Sequence, residues 1–163
     1  MSAVVHPFAP ISDPLSRVLI LGSFPSVVSR REQFYYANRS NRFWPVLTAV
    51  FDETDDGNRA GREDFVHRHH IALWDVIYSC TIQGSSDASI ANVRVNPIEQ
   101  FLKRSRIRAV FTTGQRAGKL YTTYIRSPLP HIPLPSTSGA NARMDFNTLL
   151  EEYRKIRYEI EKG

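Results

Sequence analysis

Apolar positions in this chain alternate between short unbroken runs and stretches with helical spacing. Residues 18–21 form an all-apolar run closed by Gly22, the pattern of a strand buried on both faces. Over residues 41–51 the spacing changes, and Phe43, Val46, Leu47 and Val50 fall on one side of a helix. Residues 52–61 are polar and acidic and predict a surface loop; residues 62–70 read as a helix feeding a second strand over 71–77. The small, polar residues 79–92 predict a long loop, a feature that in a compact domain often carries function. A helix over 97–104 that opens with proline, a third strand over 108–112, a helix over 117–125 and a short fourth strand over 131–135 continue the alternation. The last element is an amphipathic helix over 141–161, with Phe146, Leu149, Leu150, Tyr153, Ile156 and Ile160 facing inward. Residues 1–16, rich in proline and serine, predict an extended lead-in.

Strands alternating with helices argue for an α/β domain with a mainly parallel sheet. The segments 22–44, 75–92 and 136–141 each follow a strand, so they should share the carboxyl edge of the sheet, where such folds bind ligands. No internal repeat interrupts the pattern, and residues 1–163 read as one domain. Hydrophobic residues at 42% and charged residues at 23% are enough for a soluble domain with a real core. The net charge of +5 permits a phosphate-backbone partner without requiring one. Cys80 is the only cysteine, which excludes an internal disulfide and predicts a reducing cytoplasm. No apolar run approaches the roughly 18–20 residues that span a bilayer, and no secretory pattern is visible.

Candidate chemistry concentrates in residues 34–44, which place Phe34, Tyr35, Tyr36, Phe43 and Trp44 beside Asn38, Asn41, Arg39 and Arg42. Rings offer faces for stacking, arginines pair with phosphate, and asparagine bonds a base edge or a water. Together they suit the handling of a nucleotide.

Gly22-Ser23-Phe24-Pro25, Tyr35-Tyr36-Ala37-Asn38, Asn41-Arg42-Phe43-Trp44, Leu73-Trp74-Asp75-Val76, the 84–90 segment and Leu134-Pro135-Ser136-Thr137-Ser138 follow one another in that order. The set resembles the hypoxanthine-DNA glycosylase (DNA-deoxyinosine glycosylase) branch of the uracil-DNA glycosylase superfamily over residues 17–160. The resemblance implies a three-layer α/β/α sandwich around a four-stranded parallel sheet. It also implies hydrolysis of the bond between a deaminated base and deoxyribose, with Asn41 as the catalytic residue. The chain departs from the wider superfamily at Phe24, where aspartate or asparagine is usual, and at Leu134, where histidine or asparagine is usual. Arg39 and Gly139 stand where the branch usually has proline.

The reaction requires the nucleotide to be flipped out of the helix, and the departing base leaves positive charge on the sugar. Asn41 is expected to orient a water through its carbonyl oxygen. Phe24 and Phe43 are candidates for stacking on the flipped base, beside Gly22 and Ser23. Asp75 is a candidate acceptor for the ring N–H of hypoxanthine. Core filling describes Phe43 equally well, and capping of the next loop describes Asp75 equally well. Ser136, Thr137, Ser138 and Asn141 offer a phosphate cradle ahead of the last helix, or a cap for it. Arg39, Arg42 and Arg143 are candidates for the DNA path, and Gln83, Asp87 and Ser89 for the pocket wall. No lysine lies in the motif loops, which favours a monofunctional hydrolase.

No metal or cofactor is expected. His67, His69 and His70 lack a companion carboxylate on one face and read as histidines at a helix end. Gly114 and Gly118 are separated by three residues where a phosphate loop needs four, and Leu120 stands in place of its serine or threonine. The expected partner is DNA containing deaminated bases, engaged by a monomer. A mismatch-type uracil or thymine glycosylase, a non-catalytic nucleic-acid-binding module and a small-molecule nucleotide hydrolase are the rival readings.

Overall fold

The computed structural model describes residues 3–162. In chain order the first elements are β1 (Val4–Val5), β2 (Val18–Gly22), α1 (Val27–Glu32), α2 (Phe43–Val50), α3 (Arg59–Arg68), β3 (Ile71–Asp75) and β4 (Ile77–Thr81). A short 3-10 turn at Asp87–Ser89 precedes β5 (Ala91–Val95), α4 (Ile98–Lys103), β6 (Ala109–Thr113), α5 (Gln115–Tyr124), β7 (His131–Leu134) and α6 (Phe146–Glu161). Strands β3, β2, β6 and β7 pair in that order, all parallel. Every residue of β2 and β3 is buried, as their solid apolar runs require.

The step from β2 to β3 runs one way across the sheet, and the step from β6 to β7 runs the other way. Parallel connections are right-handed, so the intervening helices cover opposite faces. Helix α3 packs on β3 and α2 on α6, while α5 packs on β6 and β7. The sheet is thus the middle of the expected three layers. Its connections reverse between β2 and β6, where this class of fold opens its ligand crevice.

Three differences from the sequence expectations matter. Residues 79–92 are not one loop: β4 and β5 form an antiparallel pair that β1 extends into a second, three-stranded sheet. Strand β5 is polar and largely exposed, so no apolar alternation announces the pair. The lead-in is therefore structured, and Ile11 also bridges Leu73 at the edge of the main sheet. Helix α1 over Val27–Glu32 is unannounced by its short, mixed sequence; Ser26 caps it by accepting from Ser29 N at 3.2 Å. Helix α6 begins at Phe146 rather than at 141, because Asp145 caps it by accepting from Thr148 N at 2.8 Å. Phe146 is consequently 39% exposed, while Leu149, Tyr153, Ile156 and Ile160 are buried as expected.

Candidate active site

All four parallel strands deliver residues to one cavity of about 180 Å³ at their carboxyl ends. Gly22 ends β2 and Ser23 and Phe24 follow it, Asp75 ends β3, Thr113 ends β6, and Ser136–Gly139 follow β7. The 35–41 segment, with Tyr35, Tyr36, Asn38, Ser40 and Asn41, and the loop residues Ser85 and Asp87 complete the wall.

Asn41 is fixed by its side chain. Its Oδ1 accepts from the backbone N–H of Phe43 at 2.9 Å and from the Thr137 hydroxyl at 2.8 Å. An amide oxygen has two lone pairs, and both are engaged. The expectation that this oxygen holds a water is corrected accordingly: the amide NH2, which has no partner among the described residues, is the group left for the cavity. Thr137 is itself 2% exposed, so the contact is held inside the wall rather than offered to solvent.

The dense aromatic segment divides between core and site. Phe43 is fully buried and does not line the cavity; its ring lies under Tyr36, centroids 3.7 Å apart and 13° from parallel. Stacking on a base by Phe43 is therefore replaced by support of Tyr36. Phe34 stacks on Trp44, and Trp44 Nε1 donates to the Tyr35 carbonyl at 2.9 Å, so these rings also belong to the core. Tyr36 carries a φ of 52°, a left-handed conformation that costs a bulky residue on the order of 1–3 kcal/mol. The stack on Phe43 and a 3.1 Å bond between the Tyr36 and Thr113 hydroxyls hold it there. Burial, with the Asp75 charge nearby, pushes the Tyr36 pKa well above the ordinary phenol value, so the group stays neutral. Phe24 does line the cavity, 8% exposed, with the Arg30 guanidinium 5.4 Å from its centroid.

Asp75 is buried on the cavity wall and is bonded to a residue that sequence reasoning missed. His6 Nε2 lies 2.7 Å from Asp75 Oδ2, the two side chains being 2% and 5% exposed. His6 reaches it because β1 pairs with β4, which follows β3 after one residue. No local signal in a proline-rich lead-in announces a partner 69 positions away. Asp75 does not cap the next loop with its carboxylate; its backbone carbonyl accepts from Asn96 Nδ2 at 2.8 Å. A Cβ on Gly22 would sit 2.5 Å from Asp75 Oδ1, so only glycine allows this carboxylate to lie against β2. Asp87 is the second acid of the cavity and accepts from the Ser23 hydroxyl at 3.0 Å. Desolvation raises its pKa, aided by the charge of Asp75 and opposed by Ser23 and Arg116. Gln83 and Ser89 lie off the wall.

The segment after β7 is not a helix cap, since Asp145 fills that place. Ser136, Thr137 and Ser138 line the cavity, and Asn141 Nδ2 donates to the Ser136 carbonyl at 2.9 Å, closing the loop on itself. Arg42 is spent on the same loop: its guanidinium donates to the carbonyls of Met144, Asn141 (3.0 Å) and Ser138 (3.4 Å). It clamps structure rather than facing a DNA path. Arg39 and Arg143 are exposed and form no ion pair or hydrogen bond with any described residue. Gly139 meets Ser40, since a Cβ there would fall 2.9 Å from the Ser40 carbonyl oxygen, so the two loops that lack the usual prolines pack closely instead. His67 and His69 bond to separate carboxylates, Asp13 and Glu53. Gly114 caps α5 at a φ of 90°.

The comparisons with known proteins agree with this arrangement. The profile described as Uracil DNA glycosylase superfamily matches residues 9–156. A protein of Methanosarcina acetivorans named hypoxanthine DNA glycosylase is 30% identical over 142 residues, covering 86% of this chain and 90% of that protein. One of the same name from Methanosarcina barkeri is 31% identical over 139 residues, covering 83% and 87%. A solution NMR structure of a candidate uracil DNA glycosylase from Methanosarcina acetivorans superposes with a TM-score of 0.81 at 30% identity, covering 93% of this chain and 96% of that one. With its parallel sheet, its strand-end cavity and a match over most of its length, this chain belongs to the uracil DNA glycosylase superfamily.

Proposed function

We propose that the chain is a monofunctional DNA glycosylase that hydrolyses the N-glycosidic bond of deaminated bases, hypoxanthine first among them. The observation that carries the reading is Asn41, pinned through Oδ1 with its NH2 unpartnered on a cavity fed by all four strand ends. The names of the two Methanosarcina relatives support the substrate class. A nucleotide flipped into the cavity meets Tyr36 and Phe24 as apolar walls, Asp75 as an acceptor and Asn41 as a preorganised donor. Negative charge grows on the departing base as the bond to the sugar breaks, and the Asn41 NH2 donates to it. Ser136, Ser138, Arg39 and Arg143 supply contacts to the DNA backbone. The protein acts as a single-domain monomer of the cytoplasm, without metal or cofactor; among the described residues no helix is long and apolar enough to cross a membrane.

Base release from oligonucleotides carrying hypoxanthine, uracil, xanthine or a thymine mismatch tests the proposal. Wild type is expected to release hypoxanthine, and Asn41→Ala to lose about 10²–10³-fold in rate, the usual loss for one preorganised donor. Asn41→Asp keeps an acceptor for Phe43 N–H and Thr137 but replaces NH2 with oxygen, so it is expected to be as slow as Asn41→Ala. An active Asp variant would return the residue to water orientation. Release of uracil or mismatched thymine alone would indicate the mismatch-type enzyme. DNA binding without release of any base would indicate a non-catalytic module.

A further inference from the structure

We infer that His6 determines base selectivity at this site by locking Asp75 as a hydrogen-bond acceptor; the inference rests on the glycosylase reading above. The backbone N–H of His6 donates to the Tyr78 carbonyl at 2.7 Å, and its Nδ1 lies 2.8 Å from the Phe8 carbonyl oxygen. A carbonyl only accepts, so Nδ1 carries a proton. The 2.7 Å contact between Nε2 and Asp75 Oδ2 therefore holds one further proton, either on the imidazolium or on the carboxyl. Both arrangements place that proton between His6 and Oδ2. Both leave Oδ1, which has no hydrogen-bond partner among the described residues and lies against Gly22, as an acceptor; Gly22 and Asp75 both line the cavity.

An obligate acceptor reads what deamination changes. Adenine and cytosine present a bare ring nitrogen where hypoxanthine and uracil present a ring N–H beside the new carbonyl. Against the parent bases Oδ1 would face a lone pair, an unpaired contact that a buried site rejects strongly. Guanine and thymine carry the same ring N–H, so their exclusion falls to the shape of the cavity. His6 touches no base; it is a positioning residue that acts through Asp75.

Single-turnover release from oligonucleotides carrying deoxyinosine or deoxynebularine separates this role from simple structural support. The purine base of nebularine keeps the bicyclic ring but lacks the ring N–H and the carbonyl. His6→Phe retains a ring against Phe8 and Tyr35 but removes the partner of Oδ2. It is expected to lower the deoxyinosine-to-nebularine rate ratio by about tenfold or more, the effect of one hydrogen bond. His6→Gln restores an N–H donor and should recover much of the ratio. Asp75→Asn should preserve the preference, though not the rate, because neutral His6 Nε2 accepts the new NH2 and turns the amide oxygen to the cavity. This variant tests the idea even if His6→Phe fails to fold. An unchanged ratio in His6→Phe, or a ratio lost in Asp75→Asn, overturns the inference while leaving the enzyme. No release by wild type overturns the glycosylase reading and this one with it.

Discussion

Gly22 shows how one missing methyl shapes a site. The Asp75 carboxylate that a Cβ at Gly22 would strike cannot step aside easily, because His6 holds its other oxygen and the pair is buried. Gly22→Ala should therefore displace Asp75 and press on the Tyr36 hydroxyl, 3.2 Å from the same Cβ position. The expected loss is about 1–3 kcal/mol of stability, typical of overpacking, with base release falling further than stability alone explains. Thermal melts beside single-turnover rates check this; unchanged rates would mean the carboxylate has room to move. At this scale the sequence was a mixed guide. Asn41 and Asp75 were legible because their motifs carry the resemblance. His6 was not, and Phe43 could not be told from Tyr36, since both are aromatic neighbours of the same asparagine and only the chain path decides which ring faces the cavity.

Among elements, the 136–144 segment depends on a residue from the start of α2. Arg42 binds three of its carbonyls and donates its own backbone N–H to Thr137 O at 2.9 Å, which sets Thr137 against Asn41. Arg42→Ala should loosen this loop, lowering the melting temperature by about 2–10 °C if one to three kcal/mol is lost. Base release should fall, and amide exchange should quicken over residues 138–144. Arg42→Lys should not rescue, because a single ammonium cannot span the fork of carbonyls. Weaker DNA binding with an unaltered melt would instead restore Arg42 to the DNA path. Strands β2, β3 and β6 of the main sheet were legible from largely apolar runs, within a residue or two. The small sheet of β1, β4 and β5 was not, because β1 is only two residues long, β4 runs on from β3 after one residue, and β5 is polar and largely exposed.

For the whole molecule, the relevant quantity is how a net charge of +5 is deployed. Many arginines are already committed: Arg62 to Asp55, Arg68 to Glu53 and Asp64, Arg157 to Asp52 and Glu161. Arg39 and Arg143 remain exposed and unpaired, from the two loops that frame the cavity. Affinity for DNA should fall linearly in log–log form with salt, and the double variant Arg39→Ala/Arg143→Ala should reduce the slope by about 1.4–1.8, roughly 0.7–0.9 per phosphate. Fluorescence anisotropy across a salt series measures this. An unchanged slope would move the DNA path elsewhere on the surface.

The sequence by itself determined the alternation of strands and helices, the delivery of residues from the segments after β2, β3 and β7 to one sheet edge, and the motif order that points to Asn41. These are local patterns, fixed by side-chain periodicity and by residues adjacent in the chain. Tertiary structure alone decided that His6 meets Asp75, that Thr137 reaches the Asn41 amide oxygen, and that Arg42 holds a loop about a hundred residues away. Each of those contacts joins segments brought together only when the sheet assembles, and nothing in the local spacing of polar and apolar residues encodes which distant donor will find which acceptor.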